Sequence, residues 1–326
     1  MLSLDVFDTL LTRTVHDPAD AFLLLGLDLQ HEGLIADPVQ FRSDRARAET
    51  IARQKSDRED ITLEEIYRVL CEGADYRALD PLRLEAMECA VESALVRPVR
   101  VMANRFLGYP ATPLLISDMY LSPDVIRGLV DRVLMLHGES RDYHLFVSSE
   151  LGVTKNSGGL YRHVGEAFPG YLRDGLHIGD RAYADVSVPK KLGLKAEHFT
   201  ASSPNRYEQL IADGQGDEPY LSLLSGCMRA TRLANPYQDS RQRAIWDYAS
   251  SVAAPIVILF VQWVLSQSRE DGIRSLAFLA RDGQIMHQVA CLLAELDGSA
   301  PHCEYVYASR QAWNLPSVRN APDDIE

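Results

Sequence analysis

The chain opens on a short apolar run, residues 2–7, interrupted by Ser3 and Asp5. A short apolar run that ends in polar residues predicts a buried strand. From residue 14 to residue 97 the pattern changes and reads as helix after helix. Asp17-Pro18 marks a helix start, because proline suits the first turn. Residues 40–58 are rich in Arg, Ala and Glu, which favour a helix. Thr62 before Leu63-Glu64-Glu65 gives a threonine cap and an acidic first turn. Residues 81–95 predict a further helix.

Beyond residue 97 apolar strand-like runs alternate with helical ones. Strands are expected at 113–116, 143–147, 176–178 and 196–200, and helices at 123–136, 157–168 and 183–192. Such alternation implies parallel βαβ units, and parallel sheets bind ligands at the carboxyl ends of their strands. Residues 202–240 are mixed, with turn-forming Ser202-Ser203-Pro204-Asn205 and a second such stretch at 213–217. After them come a long helix (241–268), a strand (275–279), a helix (284–296) and a strand (305–307). The expected organisation is therefore an α/β core from residues 1–13 and 98–201, a helical insert at 14–97, a linker at 202–240 and a second α/β module at 241–326. That module does not close on itself, which suggests a piece of a longer protein.

Composition narrows the function classes. The 326 residues carry 33 basic and 46 acidic side chains, a formal net charge of -13. Duplex nucleic acid calls for a basic footprint and is excluded as a partner. A phosphorylated small molecule is not, since a metal ion and a few local cations can hold one phosphate. The five cysteines form no C-x-x-C pair, which argues against a disulfide framework or a zinc site and for a reducing, cytoplasmic setting. The chain begins without a basic leader segment. The apolar stretch 252–265 contains Pro255 and Gln262 and falls short of the ~20 residues of a membrane span, so it is read as a buried helix.

Candidate chemistry sits at four expected strand ends. They are L-D-V-F-D-T-L at 4–10, L-I-S-D-M at 115–119, Lys155 in G-V-T-K-N-S-G-G-L-Y, and H-I-G-D-R-A-Y-A-D at 177–185. Over residues 1–200 the chain resembles the haloacid dehalogenase (HAD) superfamily, whose motifs are an aspartate nucleophile, a Ser or Thr, a Lys or Arg, and an acidic G-D-x-x-x-x-D. The resemblance implies a Rossmann-like parallel sheet with a helical cap inserted after the first motif. It implies Mg²⁺ held by Asp5, the main-chain carbonyl of Phe7 and Asp180, with Asp185 as a ligand or its support. It makes Asp5 the nucleophile, Ser117 and Asp118 phosphate-side residues, and Lys155 a fixed positive charge on Asp5 and on the transferring group. A phosphate monoester is an anion that repels an attacking carboxylate, and a bound cation removes that repulsion.

One position departs from the family pattern. Its phosphatases usually carry a second aspartate two residues after the nucleophile, as acid and base; here it is Phe7. Asp8 follows, where the family often has glycine. Haloacid dehalogenases proper also have an aromatic residue in place of that aspartate, but they use no metal and lack the Gly179-Asp180 pair. The expectation is a Mg²⁺-dependent phosphohydrolase or phosphotransferase for a small phosphorylated metabolite. The alternatives are a catalytically weak domain that binds a phosphorylated ligand or a partner, in the setting of surface polysaccharide synthesis, and, less favoured, a dehalogenase. A homo-oligomer or partner enzyme is compatible with the sequence. Arg13, Arg42, Arg45 and Arg47 are candidates to face a substrate anion, with a solvated helix face as the favoured reading. His177 is assigned to its strand alone. In the second module, Arg281, Asp282 and Arg310 follow expected strands and mark a second candidate crevice.

Overall fold

The opening apolar run yields only three residues of strand, β1 (Leu2–Leu4), all buried, in the computed structural model of the chain, which describes residues 1–136, 141–214, 219–296, 298, 300–309 and 312–313. The chain then turns, with Asp8 in the left-handed region at φ 53°, into β2 (Leu11–Arg13). Four helices follow, α1 (Asp20–His31), α2 (Pro38–Lys55), α3 (Leu63–Glu72) and α4 (Pro81–Leu95). β3 (Val96–Pro98) then pairs antiparallel with β2, Thr12 opposite Arg97. The helical insert thus leaves and returns through a two-stranded stem. Proline in the first turn and a preceding aspartate cap start both α2 and α4. At α3 the Thr62 hydroxyl and Glu65 carboxylate cap each other's backbone reciprocally.

The alternating region holds α5 (Arg100–Leu107), β4 (Leu114–Ser117), α6 (Pro123–Leu136), β5 (His144–Val147), α7 (Ser148–Leu151), α8 (Gly159–Ala167), α9 (Tyr171–Asp174), β6 (Leu176–Gly179), a π-helical turn (Ala182–Ser187), α10 (Val188–Lys191) and β7 (Lys195–His198). The strands form one parallel sheet in the order β5-β4-β1-β6-β7. Both faces of such a sheet must be covered. Leu115 faces one apolar cluster, together with Leu2, Leu4 and residues of α5 and α6. Its neighbours Leu114 and Ile116 face another, with Leu160, Tyr161 and Val164 of α8. With β1 at the centre, the carboxyl ends of β4, β1 and β6 lie side by side.

The stretch 202–240, read as a linker from its turn-forming residues, here holds α11 (Arg206–Ala212) and α12 (Pro219–Leu233). Asn205 and Glu208 form a reciprocal cap on α11, and Met228, Ala230 and Leu233 of α12 are buried. Contacts divide the chain into Met1–Asp247 and Tyr248–Glu326. α13 (Ser240–Tyr248) runs to that boundary. The second unit holds a π-helical turn (Ala249–Ala253), α14 (Ala254–Glu270), β8 (Ser275–Leu279), α15 (Gly283–Leu296) and β9 (His302–Val306). β8 and β9 pair in parallel, over a small core of Val261, Leu265 and Ala290.

The apolar stretch at 252–265 is not the buried helix expected. Ile256, Phe260 and Trp263 are exposed, because α14 packs its Val261 and Leu265 side alone into that small core. The helical run Ser240–Glu270 is 31 residues long, and 28% of its most apolar window is buried. By length and composition it could cross a membrane.

Of the candidate arginines, Arg47 lies on a solvated face as expected, whereas Arg13 and Arg45 do not. Arg45 is fully buried and donates from Nε and Nη2 to Glu88, both at 2.8 Å. Tyr67 donates its hydroxyl to the same carboxylate at 2.5 Å, and the guanidinium lies 4.3 Å from the Phe22 ring centroid. One turn along α4, Glu92 accepts from Arg13 Nε at 2.9 and 3.1 Å. Arg42 pairs with Asp20 and Arg47 with Asp44. Removing one member of a buried pair leaves the other charge uncompensated. Glu88→Ala is therefore expected to lower the unfolding free energy by about 3–5 kcal/mol, measured by urea denaturation. Arg45→Met combined with Glu88→Leu should recover most of that loss, and a double variant no better than Glu88→Ala would refute the account.

Candidate active site

The three adjacent strand ends deliver the acidic residues. Asp5 directly follows β1, and its N–H continues the ladder to the Ile178 carbonyl at 2.8 Å. Ser117 ends β4 and is buried. Asp180 follows β6. Asp185 returns from the π-helical turn, a local form that often marks functional positions, and packs directly against Gly179. A Cβ on Gly179 would fall inside the Asp185 carboxyl, so the glycine of the Gly-Asp pair is needed to seat the second aspartate.

Lys155 joins these ends. Its side chain is 2% exposed, and Nζ donates to Asp5 Oδ1 at 2.6 Å and to Asp185 Oδ1 at 2.7 Å. Its own N–H donates to the Asp118 carboxylate at 2.8 and 3.1 Å, so Asp118 fixes the loop that carries the lysine. Although burial works against the ammonium, Asp5, Asp185 and Asp118 together raise its pKa.

Asp185 is held from every side. Oδ1 also meets His177 Nε2 at 3.2 Å and the Tyr161 hydroxyl at 3.4 Å, and Oδ2 accepts the Arg181 N–H at 2.9 Å. Burial opposes its charge, but Lys155 and His177 outweigh it and hold the carboxyl well below the usual range. Burial in turn lowers the His177 pKa and keeps the ring neutral. With Nε2–H turned to Asp185, Nδ1 accepts from Ser3 Oγ at 2.8 Å, and Ser3 meets the Tyr171 hydroxyl at 2.7 Å. Ser3 and His177 are register partners across β1 and β6. The sequence reading gave His177 no role. A histidine between the apolar residues Leu176 and Ile178, two residues before the Gly-Asp pair, was the available signal.

Asp5 and Asp180 behave in the opposite way. Burial first, and then the charges of Asp185 and Asp180, push Asp5 well above the ordinary carboxyl value, while Lys155 pulls against them. Burial, Asp8 and Asp185 likewise raise Asp180. Oxygens of Asp5, Asp180 and Asp185 lie within 4.8 Å of one another. Two neighbouring carboxyls that resist ionising together, built of hard oxygen donors, fit a divalent cation such as Mg²⁺. Asp5 and Asp180 would hold it. Asp185, with both oxygens engaged by protein donors, suits the supporting role better than direct ligation. His198 Nε2 contacts the Asp180 carbonyl at 2.7 Å and steadies that loop.

The other expected residues are placed as follows. The Phe7 ring lies under the Arg13 guanidinium, 4.2 Å from it, and so faces the stem of the insert. Asp8 Oδ1 accepts from Thr12 Oγ1 at 3.3 Å. Arg281 and Asp282 follow β8 in the second unit and are exposed, while Arg310 lies outside the described residues.

The insert is tied to the loops that carry Asp118 and Lys155. In the loop between α2 and α3, Glu59 N donates to Gly152 O at 3.1 Å. The Glu59 carboxylate accepts from Thr154 N at 2.8 Å and Ser157 Oγ at 2.6 Å. Arg58 reaches Ser149 O at 3.2 Å, Ser148 Oγ bonds Asp60, and Leu63 N donates to Tyr120 O at 3.0 Å. These partners flank Asp118 and Lys155. Asp5 is 6% exposed.

No family model matches the chain, and no curated protein matches it. Among solved structures it is similar to YfnB from Bacillus subtilis, assigned as a HAD hydrolase and solved bound to magnesium, with 17% identity over 62% of this chain and 89% of that one, at a TM-score of 0.42. It is similar to a 2-haloacid dehalogenase from Pseudomonas syringae pv. Tomato, at 15% identity, 63% and 87% coverage and a TM-score of 0.43. It is also similar to a HAD family enzyme from Bacteroides thetaiotaomicron in complex with magnesium and inorganic phosphate, at 14% identity, 60% and 92% coverage and a TM-score of 0.38. Overlaps at this level describe a likeness and decide nothing about chemistry. The fold itself is α/β, with a central strand leading into Asp5, a five-stranded parallel sheet and a helical insert between β2 and β3, and a second, partial α/β module beyond it.

Mg²⁺ is expected to raise the melting temperature of the wild type, since a ligand at about 100 times its Kd stabilises by about 2.7 kcal/mol. Asp180→Asn should lose most of that shift and Asp118→Asn should keep it. An undiminished shift in Asp180→Asn would place the ion elsewhere.

Proposed function

We propose that the chain is a cytoplasmic, Mg²⁺-dependent phosphohydrolase or phosphotransferase acting on a small phosphorylated metabolite, with Asp5 as nucleophile. The observation that carries this reading is the placement of Asp5 next to both the Lys155 ammonium, at 2.6 Å, and the Asp180 carboxyl, at the carboxyl edge of a parallel sheet. A bound divalent ion would supply charge neutralisation for the phosphoryl oxygens. Asp5, oriented by Lys155, attacks phosphorus in line. The bond from phosphorus to the leaving oxygen breaks, and an aspartyl-phosphate forms. Ser117 and the main-chain N–H groups beside it are suited to hold a phosphoryl oxygen. Water then attacks the same phosphorus, releasing inorganic phosphate and regenerating Asp5; an acceptor alcohol in place of water gives transfer.

A second reading, a weak or inactive domain that binds a phosphorylated ligand, is favoured by Phe7. Its ring stacks under Arg13 and offers no proton to a leaving group. Dehalogenation is disfavoured by Asp180, whose raised pKa beside Asp5 suits a metal site.

Phosphate release from phosphorylated metabolites is expected to require Mg²⁺ and to fall at least about a thousandfold in Asp5→Asn. A folded wild type that binds Mg²⁺ but releases no phosphate from any of them would select the binding reading. General acid assistance is worth ~10²–10⁴-fold, so without it aryl and acyl phosphates should outpace alkyl phosphates by a ratio of that order. Equal rates across leaving groups would show that another residue supplies the proton.

A further inference from the structure

α12 lies outside the alternating core, yet one face of it is fitted to the segment that follows the Asp5 loop. Ser222, Ser225, Gly226 and Arg229 are spaced at i, i+3, i+4 and i+7, a single helical stripe. Ser222 Oγ accepts from His16 N at 2.9 Å and bonds Asp20, and Ser225 Oγ meets His16 Nδ1 at 2.9 Å. Gly226 lies so close to the Thr14 backbone that an added Cβ would overlap it. Arg229 donates from Nη2 to Val15 O at 2.8 Å and to Arg13 O at 3.3 Å.

Arg229 is 5% exposed, and among the described residues its Nε has no hydrogen-bond partner and its guanidinium no ion pair. Burial holds its pKa below the ordinary value, against the pull of the Asp8 and Glu208 charges. A buried cation without a carboxylate is costly, and an apolar side chain would fill the same space at no such cost. Its two carbonyl acceptors lie at the end of β2 and just beyond it. β2 closes the loop that begins at Asp5 and passes through Asp8, a non-glycine residue at φ 53°. The Arg13 side chain, by contrast, turns to Glu92 of the insert.

We infer that Arg229 is a positioning residue for residues 5–16, so that α12 holds the nucleophile loop and the stem of the insert in working geometry. The inference rests on the reading of Asp5 as nucleophile for its kinetic consequence, but not for its structural one. Full-length Arg229→Met and Arg229→Lys are compared by p-nitrophenyl phosphate turnover with Mg²⁺, by amide hydrogen exchange and by melting temperature. Arg229→Met is expected to lower kcat about 10- to 100-fold with KM changed less than about twofold, and to speed exchange over residues 5–16 selectively. Arg229→Lys, whose ammonium can reach the same carbonyls, should restore kcat to within about threefold. Unchanged exchange over 5–16 in Arg229→Met overturns the proposal, and so does a lysine variant as impaired as methionine. If the wild type releases no phosphate, the hydrolase reading falls alone and the exchange comparison still decides the role of Arg229. Should Arg229→Met fail to fold, Arg229→Gln takes its place in the exchange comparison, with the same two outcomes.

Discussion

A lysine ammonium buried between two carboxylates is the constraint on which the first unit depends. An isolated ammonium cannot be carried into a protein interior at acceptable cost. Lys155 is carried there because Asp5, directly after β1, and Asp185, in the π-helical turn after β6, meet it at hydrogen-bond distance. That meeting requires the parallel register of β1 and β6, a glycine at 179 to admit Asp185, and Asp118 to hold the lysine loop. The neutral His177 and Ser3 behind Asp185 complete its hydrogen bonding with no further charge. Positioning and charge compensation are thus one structure, since the contacts that make the ammonium tolerable also fix the carboxyl that would attack.

Two guanidinium groups bound the loop after Asp5 at its far end. The Arg13 side chain reaches into the helical insert and covers Phe7, while the Arg13 carbonyl receives Arg229 from α12. The short stem of the insert is gripped from both sides. Asp8, strained at positive φ by about 1 kcal/mol or more, sits between these grips and the acidic cluster, and its charge is felt by Asp180, Arg13 and Arg229.

Much of this architecture was legible because it depends on local signals. Strand-ending motifs, prolines in first turns and the Thr62-Glu65 pair declare themselves within a few residues. What escaped depends on distant partners. β2 and β3 are three residues each, too short for any periodicity, and exist because they pair with each other across 82 intervening residues. Arg45 looks like any arginine on a charged helix until Glu88, 43 positions away, removes it from solvent. Ser222, Ser225 and Gly226 have the composition of a loop, but their helical spacing matches the backbone at 14–16. The exposure of α14 also escaped, since an apolar run records what a helix can bury and not what covers it.

The ties between the α2–α3 loop and the loops bearing Asp118 and Lys155 join the helical insert to the core through hydrogen bonds. If substrate reaches Asp5, 6% exposed here, only when the α2–α3 loop is released, binding draws on whatever fraction of molecules has it released. If that fraction is about one in a hundred, the apparent affinity for substrate is weakened by about the same factor. The strength of a few surface hydrogen bonds from Glu59 and Arg58 would then tune substrate capture from outside the reacting groups. Sequence drift at those two positions would retune capture while leaving the carboxylates and the lysine untouched.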